Sequence, residues 1–296
     1  ISNTGESQNL PSGVSNFDPT QYGDVEFTAY DITANISGGA KVVTNSQVKA
    51  MVNAIKADPV NNIYTKGVTG KTVKVDNTGT AKFTGMDAYK GGEYHVYAII
   101  ETKHATGLVN QIADPMVVVT PMTNEAGSGF LGDIQLYPKN ETKKLTFNLT
   151  KLHDNADGST AALAGAKFQL YRGKPGSGTK VGGELTADSN GLVTAKDIVM
   201  GDYYFVELPS TNVSTDGNAG SKYVLSANAQ NDANNKLTFS VGSDGVVEST
   251  LNAKLVNYKA PEASKTPTNG VGSTHSFDIG DTVADFENPE GLKPIN

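Results

Sequence analysis

The sequence predicts an all-β chain of two tandem β-sandwich domains, with one short helix in the first. Three observations carry this. The 296 residues suffice for about two domains, each with its own core. Hydrophobic content is 37%, with 32 glycines and abundant Thr, Val and Asn, which favours short strands and turns over helical or doubly wound architectures. Strand-like runs separated by turn signals also begin afresh after Asn140, as though one module followed another.

Residues 1–22 carry Ser, Asn, Gly and Pro without periodicity and read as a flexible or loosely docked arm. They show no basic-then-apolar signal pattern, so the start reads as a mature or trimmed terminus. The first domain is placed at 23–140. Val25 to Ile32 alternates, with Val25, Phe27 and Ala29 on one face, as in a half-buried strand. Val48, Met51, Val52 and Ile55 form one apolar stripe and predict a helix over 45–57, capped by Asn45 or Ser46 and stopped by Asp58-Pro59. Short strands are expected at 72–75, 81–84, 94–101, 116–120 and 133–137, divided by turns at 76–79, 91–92 and 127–129.

The second domain is placed at 141–259, with strands at 144–152, 166–171, 192–196, 203–208, 236–241 and 250–257. The Asp- and Gly-rich loops 154–158, 188–191 and 243–245 read as hairpin turns. As a calcium loop the first fails, because Ala156 and Gly165 stand where an EF-hand needs carboxylates. From Ala260 the composition shifts to Pro, Ser, Thr and Gly. Residues 260–296, including the strand-like Ser276 to Phe286, read as a tail or the opening of a further domain.

Several function classes are disfavoured. The net charge of −7 leaves no basic stripe for nucleic acid. With no cysteine there is no disulfide, thiolate nucleophile or Cys-based zinc site. No apolar run is long enough for a membrane span. His95, His104, His153 and His275 lack metal-ligand spacing, and neither a nucleophile elbow nor a phosphate loop occurs. No enzyme activity, cofactor or metal is expected.

Period-two parity points to a reactive constellation. Leu145, Phe147, Leu149 and Lys151 share one strand face, Tyr203, Phe205 and Glu207 another, and Leu251, Ala253, Leu255 and Asn257 a third. Each apolar run ends in a polar group aimed where its hydrophobic neighbours point. Buried singly, each group is costly. Together they can react: desolvation disfavours the charged forms of lysine and glutamate, so a proton can pass between them. The Lys151 amine can then attack the Asn257 carboxamide, with Glu207 polarising its oxygen and relaying protons. Ammonia would leave and an isopeptide bond remain, favoured by proximity. By the chain-entropy account, a tie closing on the order of 100 residues contributes about 4–5 kcal/mol. Parity alone leaves a second reading open, a buried Lys–Glu ion pair with Asn257 as hydrogen-bond partner.

The second domain resembles the immunoglobulin-like, collagen-adhesin (Cna) B-type module of Gram-positive surface proteins. The likeness rests on Phe147-Asn148-Leu149-Thr150-Lys151, Leu163 to Tyr171 (LAGAKFQLY), Gly201 to Glu207 (GDYYFVE) and Val256-Asn257. It implies a self-generated bond between Lys151 and Asn257 assisted by Glu207. Glu207-Leu208-Pro209 departs mildly from the usual Glu-Thr-x-x-Pro. Tyr137-Pro138-Lys139-Asn140, at the junction before that module, resembles the pilin motif of sortase-assembled shaft subunits. That resemblance makes Lys139 the amine that resolves a threonyl thioester held by a pilus-specific sortase.

The resemblance implies a structural shaft subunit, joined covalently to copies of itself and to accessory pilins in an extracellular, cell-wall-anchored pilus. The alternative on the same scaffold is a tip or basal pilin, or an adhesin for a host ligand. Tyr97, Ile99 and Glu101 repeat the acid-bearing strand in the first domain, but no lysine precedes Lys41, so no equivalent bond is expected there. The sorting signal Leu-Pro-x-Thr-Gly does not occur in these residues; as it stands, the chain is expected to accept an acyl group but not donate one.

Overall fold

The computed structural model describes residues 15–124, 126–155, 157–214 and 223–248 and, as backbone only, 249 and 254–257. Expectations for residues 1–14, Leu251, Ala253, His275 and 260–296 fall outside the described residues. The chain divides into two compact units, residues 1–144 with 242–246 and residues 145–241 with 247–296.

The first unit opens with a single helical turn, α1 (Pro19–Tyr22). Asp18 caps it by accepting from the Thr20 N–H at 2.9 Å, and Pro19 sits at the first position, where no N–H is needed. Phe17 packs against the core of this unit. The strands are β1 (Glu26–Asp31), β2 (Lys71–Lys74), β3 (Tyr89–Lys90), β4 (Glu93–Tyr94), β5 (Val96–Lys103), β6 (Val109–Gln111), β7 (Met116–Val119) and β8 (Glu141–Thr142). An antiparallel sheet runs in the order β2-β1-β5-β7, with two small ribbons, β3-β4 and β6-β8.

Helix α2 spans Asn45–Ala57 as its apolar stripe predicts, but Thr44 is the cap. Thr44 Oγ1 accepts from the Gln47 N–H at 3.3 Å, and Gln47 Oε1 accepts from the Thr44 N–H at 2.7 Å. The side chain three residues on selects Thr44 over Asn45 or Ser46, because only that spacing satisfies both donors. Met51 and Ile55 pack on Val96, Ala98 and Ile100, one face of the sheet. The other face carries Val25, Phe27, Ile99 and Met116, packed with Val75 and Ala113 and covered by Phe17, Ala81 and Phe83. The strand expected at 81–84 does not form; Ala81 and Phe83 serve as that cover from an irregular segment. The strand expected at 133–137 does not form either.

The second unit contains β9 (Leu145–Asp154), β10 (Thr160–Ala162), β11 (Lys167–Arg172), β12 (Thr179–Thr186), β13 (Leu192–Ile198), β14 (Gly201–Leu208), β15 (Val213–Ser214), β16 (Tyr223–Val224), β17 (Thr238–Val241), β18 (Val247–Ser249) and β19 (Lys254–Asn257). One sheet has the order β12-β11-β14-β17-β18; the other centres on β9. The start of β9 pairs antiparallel with β13, its end with β10, and Thr150 to His153 pair in parallel with β19. Phe147 of one sheet stacks on Phe239 of the other at 4.0 Å between ring centres and meets Phe205 at 5.8 Å. This is the sandwich core.

The Asp-rich loops are turns held by their own carboxylates. Asp188 Oδ1 accepts from the N–H groups of Asn190 and Leu192, and Asp157 Oδ1 from the N–H and hydroxyl of Ser159. Gly191 closes the first of these turns at φ +73°, and a Cβ there would lie 2.2 Å from the Lys151 carbonyl oxygen.

Candidate functional site

Three crossing partners position Lys151. Its N–H donates to Gly191 O at 2.6 Å, its carbonyl accepts from Leu163 N–H at 3.0 Å, and Leu255 lies opposite it on β19. Phe147 and Leu149, on the same face of β9, are buried, and the lysine follows them inward with no exposed surface. Nζ donates to Leu152 O at 2.7 Å and lies 3.7 Å from Glu207 Oε1. Glu207, at 1% exposure, also accepts from the Ser226 N–H through Oε2 at 3.1 Å. Burial pushes the Lys151 ammonium down to about 8, and the Glu207 carboxylate only partly opposes this. A lysine so placed yields its proton readily and can act as a nucleophile.

The backbone of Asn257 lies on β19 opposite His153, two residues beyond Lys151 on β9 and in the same phase of alternation. The register therefore brings the predicted amine and the predicted carboxamide residue onto adjacent parallel strands.

Lys139 has the opposite environment. Residues 134–140 form no strand, Lys139 and Tyr137 are exposed, and Pro138 between them is exposed as well. The alternation expected of Ile134, Gln135 and Leu136 is absent, since all three are half-buried. Tyr137 O–H donates to Gln135 Oε1 at 2.9 Å. Asn140 turns inward. Its Nδ2 lies 2.9 and 2.8 Å from the two oxygens of Glu101, whose side chain has no exposed surface.

Residues 2–141 match the family described as Gram-positive pilin subunit D1, N-terminal domain, and residues 146–212 match the prealbumin-like fold domain. The two matches support a Gram-positive pilin subunit. The pilin is thus a cell-surface protein of a structural family, one that implies polymerisation with other pilins. Comparison with curated proteins found no match. Among solved structures, the pilin is similar to the SpaE basal pilin of Lactobacillus rhamnosus GG, with 19% identity, 79% of this chain and 87% of that one covered, and a TM-score of 0.34. It is also similar to the shaft pilin SpaA of the same organism, with 16% identity, 87% and 96% covered, and a TM-score of 0.30. A third is the minor pilin GBS52 of Streptococcus agalactiae, with 15% identity, 89% and 96% covered, and a TM-score of 0.26.

Within the pilin, Lys151 and Glu207 are brought together in one core. Tyr137, Pro138 and Lys139 lie at the surface, and the Asn257 side chain is outside the described residues. Sequence reasoning missed the contact between Asn140 and Glu101. The signal was available in halves: Glu101 ends an apolar strand, and Asn140 ends the motif. Nothing in the sequence joined two residues so far apart.

Proposed function

We propose that this pilin is the repeating shaft subunit of a covalently polymerised pilus, with Lys139 as its acceptor amine. The observation that carries this reading is the contrast between two lysines: Lys139 is exposed on a strandless segment, and Lys151 is wholly buried. In the joining step, Lys139 Nζ attacks the carbonyl carbon of a threonyl thioester held by a pilus sortase. A C–N bond forms, the C–S bond breaks, and the proton lost by the amine ends on the departing thiolate.

Inside the second domain, the Lys151 amine attacks the Asn257 carboxamide. The new C–N bond replaces the old one, and ammonia leaves carrying the amine's proton, relayed through Glu207. Depressed basicity, burial and the 3.7 Å approach of Glu207 support this role for Lys151. A bond there ties the first strand of the domain to its last, and it would resist proteolysis and mechanical pull by removing the open state.

Coexpression of the chain, carrying an added C-terminal Leu-Pro-x-Thr-Gly signal, with a pilus sortase tests the outer reaction. A shaft subunit gives a ladder of high-mass species that Lys139→Ala abolishes. A ladder that survives Lys139→Ala overturns the reading, and a tip pilin or adhesin would form none by self-joining.

A further inference from the structure

We infer that Glu101 and Asn140 form a non-covalent clasp that positions Lys139, and that the first domain uses this clasp where the second is read as using a covalent tie. The inference rests on Lys139 being the acceptor amine. Asn140 Nδ2 reaches both oxygens of Glu101, at 2.9 and 2.8 Å, and the Ala113 N–H donates to Oε2 at 2.9 Å. Among the described residues, the ion-pair partner within 4.0 Å of this carboxylate is His104, whose Nδ1 is 3.8 Å from Oε1. Among the described residues no lysine amine is within that range, and the carboxamide and a backbone amide donate to it. A carboxylate without exposed surface needs such donors, and removing one leaves an oxygen unsatisfied.

The clasp stands at a boundary. After Asn140 the chain is held by β8, which pairs with β6, and by Lys143, whose N–H donates to Leu108 O at 2.8 Å and whose Nζ donates to Thr106 O at 2.7 Å. Before it, residues 134–139 form no strand. Asn140 is therefore the last tied point before the reactive residue. Its half-buried side chain points at Glu101 while the adjacent Lys139 is exposed, and fixing the one inward fixes the direction of the other. Directing an amine at an acyl carbon is worth large factors in rate, and a displacement of about 1 Å can cost about a hundredfold. Glu101 and Asn140 are positioning residues, acting through Lys139 without touching the acyl group.

The test uses the whole chain as acceptor, a pilus sortase, and a donor peptide carrying Leu-Pro-x-Thr-Gly, with Lys139→Ala, Asn140→Ala and Glu101→Gln compared to wild type. A Gln at 101 turns an N–H2 toward the existing donors and loses one acceptor oxygen. Lys139→Ala is expected to abolish product. Asn140→Ala and Glu101→Gln are expected to lower kcat about tenfold to a hundredfold while the acceptor KM stays within about twofold. Hydrogen exchange at 134–139 should accelerate in both, with thermal unfolding of the first domain little changed for Asn140→Ala. Wild-type kcat in Asn140→Ala, with Lys139→Ala inactive, overturns the clasp and spares the acceptor reading. A parallel collapse of kcat, KM and thermal midpoint in Asn140→Ala shows a merely structural contact and also overturns it. If Lys139→Ala remains active, the acceptor reading itself fails. Should Glu101→Gln not fold, Asn140→Ala alone decides.

Discussion

Glu101 and Glu207 occupy the same station in their two domains. Glu101 on β5 lies opposite Phe27 on β1, and Glu207 on β14 lies opposite Phe168 on β11. The neighbouring pairs correspond as well: Ala29 faces Ile99 as Leu170 faces Phe205. A Gly-acidic-Tyr run stands just ahead of β5, at 92–94, and opens β14, at 201–203. The same strand pattern thus buries an acid twice. In the second domain the acid meets a lysine amine; in the first it meets the carboxamide of Asn140. The difference predicts which domain can crosslink.

The intact chain should be lighter than its sequence mass by one ammonia, and that deficit should map to a peptide joining Lys151 and Asn257. Glu207→Ala removes the group that relays protons and should restore the full sequence mass. The same variant leaves Lys151 buried without its carboxylate, so it should be cut readily by trypsin. High-resolution mass spectrometry before and after digestion reads both. A second ammonia loss, mapping to the first domain, would contradict the assignment of Glu101 to a clasp.

Elements whose burial is one-sided or complete were legible in the sequence. The stripe at 48, 51, 52 and 55 gave α2 because Met51 and Ile55 enter the core and Val48 and Val52 border it. The alternation ending in Lys151 was legible because Phe147 and Leu149 are its inward neighbours. Strand β12 was missed: it is largely exposed and interrupted by Gly182-Gly183, so pairing with β11 forms it without any apolar period. Residues 133–137 misled for the converse reason. Ile134 and Leu136 alternate with polar residues, but no neighbouring strand pairs with them, and a strand is made by its partner. The Glu101–Asn140 contact spans 39 positions and depends on β8 returning beside β6.

Blocking the inner bond should expose the titration of Lys151. In Asn257→Ala the amine stays free, with a folded-state pKa near 8 against 10.5 for an ordinary lysine. The folded state then binds fewer protons than the unfolded state between those values, so stability rises as pH climbs through that window. The depressed pKa opposes folding in full below about pH 8 and ceases to do so above about 10.5. The full span is on the order of 3 kcal/mol. On the proposed bond, which makes the lysine an amide, wild type should lack this rise. Urea unfolding of both proteins at pH 7.5, 9 and 10 compares them; parallel curves would count against a bond at Lys151.

Gly191 should not tolerate a side chain. Its φ of +73° is unfavourable for alanine, and the added Cβ would meet the Lys151 carbonyl oxygen at 2.2 Å. The Gly191 carbonyl also accepts from the Lys151 N–H at 2.6 Å, so any shift to relieve the clash disturbs the reactive lysine. Gly191→Ala should destabilise the second domain by about 2–3 kcal/mol when measured in the Asn257→Ala background, where no crosslink is expected. In the wild-type background it should slow the appearance of the ammonia-deficient species after synthesis. Gly182→Ala is the control: φ is also positive at +63°, but no atom lies within 4 Å of the added carbon, so it should cost less and leave bond formation unchanged.

The first domain should carry its own pH dependence through His95 and Asp31. His95 Nδ1 lies 2.6 Å from Asp31 Oδ2, and the Asp31 carboxylate also accepts from the Thr33 N–H and hydroxyl. Burial alone would lower the His95 pKa, but hydrogen bonding to Asp31 and to Lys90 O raises it above the ordinary 6.5. Burial would likewise raise Asp31, and its bonds to Thr33 and His95 bring it below 3.8 instead. The raised histidine stabilises the fold in full below about pH 6.5 and loses that contribution as pH climbs through its folded value. The lowered carboxyl stabilises in full above about 3.8 and loses that contribution as pH falls through its folded value. The pair therefore contributes most between those limits. Thermal unfolding of the first domain within the intact chain should show a midpoint that declines from pH 6 to 8 in wild type. His95→Gln should flatten that decline; an unchanged slope would mean that another group carries the dependence.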